Sequence, residues 1–304
     1  MIDFDSPWKE ALDGYFEPFV RLLMSEARAD IDWSQGYESL DKELQQIVRD
    51  GESGRRLVDK LVKVWLKDSR EQWVLIHVEV QTAEDAEFAQ RMYVYNYRLF
   101  DRYNKEVVSL AVLGDDNPRW RPASYGYKRW GFEAGIRFPI IKLLDHAQRR
   151  QELEESENPF AIFILAHLDT LETRQDQGER CNRKFRLIKR LYERGLSAGD
   201  VRKLFRVIDW IMDLPKDLAE AFLEEVKQYE ERNQMPFITT PERIGLGRGL
   251  MRGIEAVLHV KFGEAGLRLL PEIRQIESND QLEAILEAIE SGATLEELPR
   301  IWNA

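Results

Sequence analysis

The segment from Leu57 to Gln81 constrains the fold more than any other, because two alternating apolar runs flank a short polar stretch and so demand a β-hairpin. One arm runs from Leu57 to Leu66, the other from Gln72 to Gln81, with Lys67 to Glu71 as the turn. A turn centred on Ser69 pairs Asp59 with Glu79, since opposed residues of an antiparallel ladder share a face. Even positions contribute Val58, Val62, Val64, Leu66, Val74, Ile76, Val78 and Val80, an apolar face interrupted only by Lys60 and Gln72. Odd positions gather Asp59, Lys63, His77, Glu79 and Gln81 among Leu57, Leu61, Trp65, Trp73 and Leu75. The even face is the expected core and the odd face is mixed. Two directly opposed carboxylates repel, so they call for a cation between them. A register slip by one residue would exchange the two faces, which fixes the pairing.

The remaining chain supports a mixed α/β fold. Residues 7–25 read as a helix, with Ser6 as cap and Pro7 in the first turn, and with Ala11, Leu12, Tyr15, Phe16, Phe19, Leu22 and Leu23 as its apolar stripe. A short helix is expected near Leu40–Val48, and a longer one over 83–104, where Phe88, Met92, Tyr95, Leu99 and Tyr103 recur at helical intervals. Val107 to Leu113 reads as a buried strand, and Gly126–Phe132 and Gly135–Leu143 as two more. From Pro159 the pattern turns helical, over Phe160–Leu171, Cys181–Arg194, Ala198–Met212 and Pro215–Gln228. Asn233 to Pro241 reads as an irregular connection. Gly245, Gly247, Gly249 and Gly253 follow; no strand precedes them and no Gly-Lys-Ser/Thr closes them, so they read as a flexible hinge rather than a phosphate loop. Ile254–Ile301 is expected to be a compact helical unit around Leu258, Leu269, Leu282, Ile285, Leu286, Ile289 and Leu295. The organisation expected is therefore a sheet-bearing domain over 1–158, a helical extension over 159–232 and a small helical domain over 245–304.

Composition narrows the setting. The single cysteine, Cys181, excludes an internal disulfide framework or a cysteine-based zinc site and fits a cytoplasmic protein. The start of the chain lacks the pattern of a signal peptide, and no apolar run has the length of a membrane span. The net charge of −11 disfavours nucleic acid globally, but Arg180 to Arg206 holds ten Lys/Arg against Glu193 and Asp200, a local balance of +8. Within that window Arg183, Lys184, Lys189 and Arg190 are candidate DNA contacts, the alternative being a solvated helix face.

Asp59 and Glu79, with the Val80 carbonyl, offer the hard oxygen ligands that suit Mg²⁺ or Mn²⁺ in phosphodiester hydrolysis. Gln81 shares their face and could orient a water, with His77 and Lys63 in support. Glu10, on the first helix, is a further candidate acid. Arg91 and Tyr95, four residues apart on the following helix, are candidate phosphate contacts. His146, His167 and His259 have no ligand spacing and read as structural. The competing reading makes Asp59 and Glu79 exposed acids balanced by Lys63 and Arg56.

The spacing from Asp59 to Glu79-Val80-Gln81, on consecutive strands after a helix, resembles the PD-(D/E)XK nuclease signature. The chain resembles more specifically the recombination-promoting nuclease/putative transposase family of that superfamily. Asp5-Ser6-Pro7-Trp8-Lys9, Arg56 to Val64, Ile76 to Gln81, Arg91 to Tyr97 and Val108 to Leu113 carry the resemblance, which covers residues 3–145. It implies a restriction-endonuclease-like mixed sheet flanked by helices, with an all-α C-terminal region. It also implies Mg²⁺-dependent DNA cleavage with Asp59 and Glu79 as metal ligands and Gln81 in the place usually held by lysine, associated with recombination or mobile elements. Double-strand cleavage with one active site per chain implies a homodimer. Because a neutral amide cannot supply the charge of lysine, a catalytically silent nuclease fold that binds DNA or protein is the alternative.

Overall fold

The computed structural model describes residues 5–41, 44, 58–67, 73–233, 241–276 and 279–302. The expected helix near Leu40–Val48 and the connection after Asn233 lie mostly outside these residues, as do Arg56, Leu57 and the hairpin turn from residue 68 to 72. The chain forms two compact units, one reaching to Gln175 and the other starting at Asp176. The first is mixed α/β and the second is helical. Among the described residues no helix is long and apolar enough to cross a membrane.

The first unit begins with α1 (Asp5–Leu23) and α2 (Ser25–Asp30). α1 bends at Tyr15, whose backbone leaves the helical region, because Pro18 lacks an N–H and its ring crowds the turn before it. The sheet then takes β1 (Tyr37–Ser39), β2 (Val58–Trp65) and β3 (Trp73–Gln81). The crossover helix α3 (Phe88–Tyr103) leads into β4 (Val107–Leu113). β5 (Ser124–Arg129) and β6 (Phe132–Arg137) pair only with each other, and β7 (Ile140–Lys142) returns to the main sheet. The order is β1-β2-β3-β4-β7, antiparallel from β1 to β3 and parallel from β3 to β7. α4 (Arg150–Glu155) and α5 (Pro159–Glu172) complete the unit.

The hairpin register is the one the sequence dictates: Asp59 opposes Glu79, and Trp65 opposes Trp73. The faces differ from expectation in one respect, because both are buried. α1 lies against β2 on the even face, and α3 covers the odd face, where Leu99 meets Leu61 and Leu75 and where Met92 and Phe88 meet Ala111 and Leu113. Lys60, an exception on the even face, is enclosed as well; its ammonium reaches Asp13 and Asp41 at 2.6 Å each. Burial opposes its charge, but the two acids outweigh that and raise its pKa above the ordinary lysine value.

Two further departures have local causes. The strand expected over Gly126–Phe132 is broken by a two-residue turn at Trp130-Gly131, both in the left-handed region with φ 52° and 83°. That is the geometry of a tight hairpin turn matched to strand twist. The helix expected near 160 belongs with the sheet: α5 is apolar nearly all round, and Phe160 to Thr170 are all buried in the first unit. Asn158 caps it by accepting from the Phe160 N–H at 2.8 Å, with Pro159 following.

In the second unit, α6 (Gln177–Glu193), α7 (Ala198–Ile211) and α8 (Lys216–Arg232) precede α9 (Pro241–Leu267) and α10 (Asn279–Glu290). The glycines expected to form a hinge lie inside α9, whose break comes later, at Gly263 with φ 57°. Gly253 faces Leu286 on α10 at ordinary contact distance, a Cβ there lying 3.7 Å from its methyl, and Gly249 has nothing within 4 Å, so neither position requires glycine. The core here comprises Leu258, Leu282, Ile285 and Ile289, with Leu269, Leu286 and Leu295 packed against it.

One buried histidine ties the first unit together. His167 on α5 receives the Trp8 indole N–H at Nδ1 (3.2 Å), and its Nε2 lies 2.8 Å from the Gly114 carbonyl just after β4. Those partners fit a neutral ring protonated at Nε2, and burial drives the pKa down to about 4. Gly114 has no room for a side chain, since a Cβ would lie 2.8 Å from the imidazole. Between about pH 6.5 and 4 the unfolded chain takes up a proton that the native ring refuses, so stability falls as pH falls through that window. His167 thus removes about 2 kcal/mol between pH 7 and 5. Urea unfolding at both pH values should show a smaller pH dependence for His167→Gln than for the native chain.

Candidate functional site

The odd face of β3 carries His77, Glu79 and Gln81 in a row beneath α3. Pairing with β4 adds Ser109 beside His77. Glu79 is 0% exposed, which excludes for this residue the reading of a solvated surface acid. Its charge is met from above by Arg91, one turn into α3. The Arg91 guanidinium donates to Glu79 Oε1 (3.0 Å), to Gln81 Oε1 (3.0 Å) and to Asp85 Oδ2 (2.6 Å). Burial opposes its charge, yet Glu79 and Asp85 outweigh this and raise its pKa above the ordinary arginine value. A planar fork with several donors suits such a three-way contact, which a lysine could not reproduce.

The other Glu79 oxygen is different. Oε2 has no hydrogen-bond donor among the described residues and lies 3.5 Å from His77 Nε2. His77 is itself oriented: its Nδ1 is 3.2 Å from Ser109 Oγ, which accepts from the Asn96 amide at 3.0 Å. The Tyr95 ring meets the imidazole edge-on at 5.9 Å. A buried polar chain therefore runs from Asn96 through Ser109 and His77 to Glu79 and Arg91. Asp59 stands opposite Glu79 in the ladder; its side chain lies outside the described residues. Gln81 is committed at both ends, donating to the Ala83 carbonyl at 2.8 Å while accepting from Arg91.

Comparison with family models, with curated proteins and with solved structures returns no match to this chain. The reading of the site rests on its own residues.

The structure brings together part of the expected set. Glu79, Gln81, His77 and Arg91 share one cluster. Lys63 turns to the sheet edge, 3.1 Å from Glu38 Oε2 and over the Trp65 ring. Glu10 is buried on α1, whose Asp13 reaches Lys60 on the even face, so that helix covers the side of the sheet opposite Glu79. Arg91 and Tyr95 do share a helix face, but it is the inner one, and an enclosed Tyr95 has no access to phosphate. Lys184 is likewise enclosed within the second unit, bonded to Asp209 Oδ1 at 2.5 Å and to the Met212 carbonyl at 3.1 Å. Arg183 pairs with Glu179 at 2.9 Å and Lys189 lies 3.7 Å from Glu193, both along α6; Arg190 is half-buried. Among the described residues no group of three or more His, Cys, Asp or Glu could hold a metal ion.

Asp85, Asn96 and Ser109 escaped the sequence reading. Their signal was faint: Ser109 is the one polar residue in the Val107–Leu113 run, and its parity with His77 follows only once strand pairing is known. Removing the Arg91 charge leaves Glu79 buried without compensation, which costs about 3–5 kcal/mol. Arg91→Gln should lower the urea midpoint accordingly, and Glu79→Gln placed in that background should recover part of the loss.

Proposed function

We propose that the chain is a metal-dependent DNA endonuclease with a restriction-endonuclease-like core, associated with recombination or mobile elements. The single observation that supports this best is the in-register pair of Asp59 and Glu79, with Glu79 fully buried and one of its oxygens lacking a donor among the described residues. An orphaned carboxylate oxygen beside a second acid is chemically suited to a hard divalent cation. Asp59 and Glu79, with the Val80 carbonyl, are the residues that would hold Mg²⁺ or Mn²⁺. Such an ion supplies Lewis acidity toward a phosphoryl oxygen and lowers the pKa of a bound water.

The protein's own groups have distinct tasks in this reading. Arg91 holds Glu79 and Gln81 in fixed orientation and brings positive charge to the position where the signature places lysine. Gln81 presents a neutral amide to that position. His77, set by Ser109 and Asn96, stands beside the second Glu79 oxygen. On the second unit, Arg183, Lys189 and Arg190 form part of the basic window that would follow a DNA backbone, and a homodimer would place two such sites on one duplex.

A specific observation favours a second reading. Arg91 already neutralises Glu79 and ties up Gln81, as expected of a nuclease fold that has exchanged its metal for a permanent cation and acts by binding DNA or a protein. Plasmid nicking separates the two. The nuclease reading expects nicking with Mg²⁺ or Mn²⁺ that Asp59→Ala and Glu79→Gln abolish. It also expects Mn²⁺ at roughly tenfold over its Kd to stabilise the native chain by about 1.4 kcal/mol, and the Asp59→Ala chain not at all. Equal behaviour of native and Asp59→Ala proteins in both measurements would leave the silent fold.

A further inference from the structure

The β5–β6 ribbon stands outside the main sheet and carries an arrangement that folding alone does not require. Its register places Tyr125, Tyr127, Arg129 and Phe132 on one face. Tyr93 of α3 anchors that face at its base, 5.5 Å from the Tyr125 ring and 6.5 Å from Tyr127, while Ile136 packs into the core beside Phe88 and Met92. Toward the tip the aromatics become exposed: Tyr127 and Phe132 meet in a tilted pair at 5.8 Å, and about half of each is open to solvent. At the tip itself Trp130 is 94% exposed, with the Arg129 guanidinium 5.5 Å from its ring.

Trp130 sits at φ 52°, a conformation that a bulky residue adopts at a cost and that Asn or Gly adopts readily in such turns. The fold gains no burial from the indole in return. Charge points to the occupant. Residues 119–137 contain Arg119, Arg121, Lys128, Arg129 and Arg137 against Glu133 alone, a balance of +4 within a chain of −11, with Arg121 paired to Asp145 and Lys128 to Glu133. Exposed aromatic rings beside a cation on one face of a ribbon are the chemistry of unpaired bases stacked on side chains next to a neutralised phosphate backbone.

We infer that the β5–β6 ribbon is a docking arm for single-stranded DNA, with Trp130, Tyr127 and Phe132 as stacking platforms and Arg129, on the same face as Tyr127 and Phe132, as a backbone contact. This deepens the nuclease reading by naming the form of DNA engaged, because α3 carries both Arg91 of the site and Tyr93 of the ribbon's base. Binding is nevertheless measurable without cleavage, so the two can fail separately.

The test is fluorescence anisotropy of the full chain in EDTA at low salt, with a labelled oligo-dT, an abasic strand of equal length and a duplex. Oligo-dT should bind tightest. Trp130→Gly should weaken it by at least about fivefold, the lower end of a base–aromatic stack, while leaving the abasic strand unaffected and the melting temperature no lower. Tyr127→Leu should weaken it too, and Arg129→Gln should flatten the salt dependence. Equal binding of oligo-dT and the abasic strand, an undiminished Trp130→Gly variant, or no binding at low salt would overturn the inference. So would Trp130→Gly changing only the sedimenting mass, which would mark the ribbon as a protein interface.

Discussion

A carboxylate removed wholly from water must be compensated, and the first unit is arranged around meeting that demand for Glu79. Its strand neighbour across the hairpin is another acid, so the cation has to come from outside the sheet. α3 delivers it as Arg91, and in doing so the helix covers the odd face and brings Leu99, Met92 and Phe88 onto the strands. Electrostatic need and apolar burial thus fix the same helix in the same place. Lys60 solves the mirror-image problem on the even face, where two acids from α1 and the sheet edge surround a buried ammonium. Each face of the hairpin contains one charge that its local sequence could not neutralise.

Such compensation bears directly on chemistry. A carboxylate whose every lone pair is satisfied is structural and inert, whereas Glu79 has one oxygen clasped by Arg91 and one held only near His77. That asymmetry keeps the nuclease reading alive although Arg91 already sits in the site. It also relocates the question raised by Gln81. The amide does not stand alone; it is one partner of a guanidinium that the neighbouring helix brings to it.

Much of this was legible in the residues themselves. The alternation of Val58 to Trp65 against Trp73 to Gln81, with the polar stretch between them centred on Ser69, pointed to the pairing of Asp59 with Glu79. The helical stretches of the second unit followed from their spacing in the same way. What escaped was information held by more than one element. Nothing in Leu61 or Leu75 says that the odd face will be roofed, since that depends on where α3 crosses. The Trp130-Gly131 turn was concealed because Trp is an unfavourable residue for left-handed backbone, so local propensity pointed to a continuous strand. The glycines of α9 misled in the opposite sense, because the helix runs through them although their intrinsic propensity is poor. Lys184 counted as surface charge until its enclosure with Asp209 was seen.

Every member of the polar chain, from His77 and Glu79 through Arg91 and Asn96 to Ser109, comes from the short stretch from β3 to β4. A hairpin, its crossover helix and the next parallel strand close only short loops, so the entropy lost in assembling them is small beside that of the long-range joint between Trp8 and His167. The charges are therefore set to find one another early in folding, while the sheet is still open to water. Glu79 thus draws its compensating cation from only 12 residues along the chain, without help from the long-range joint.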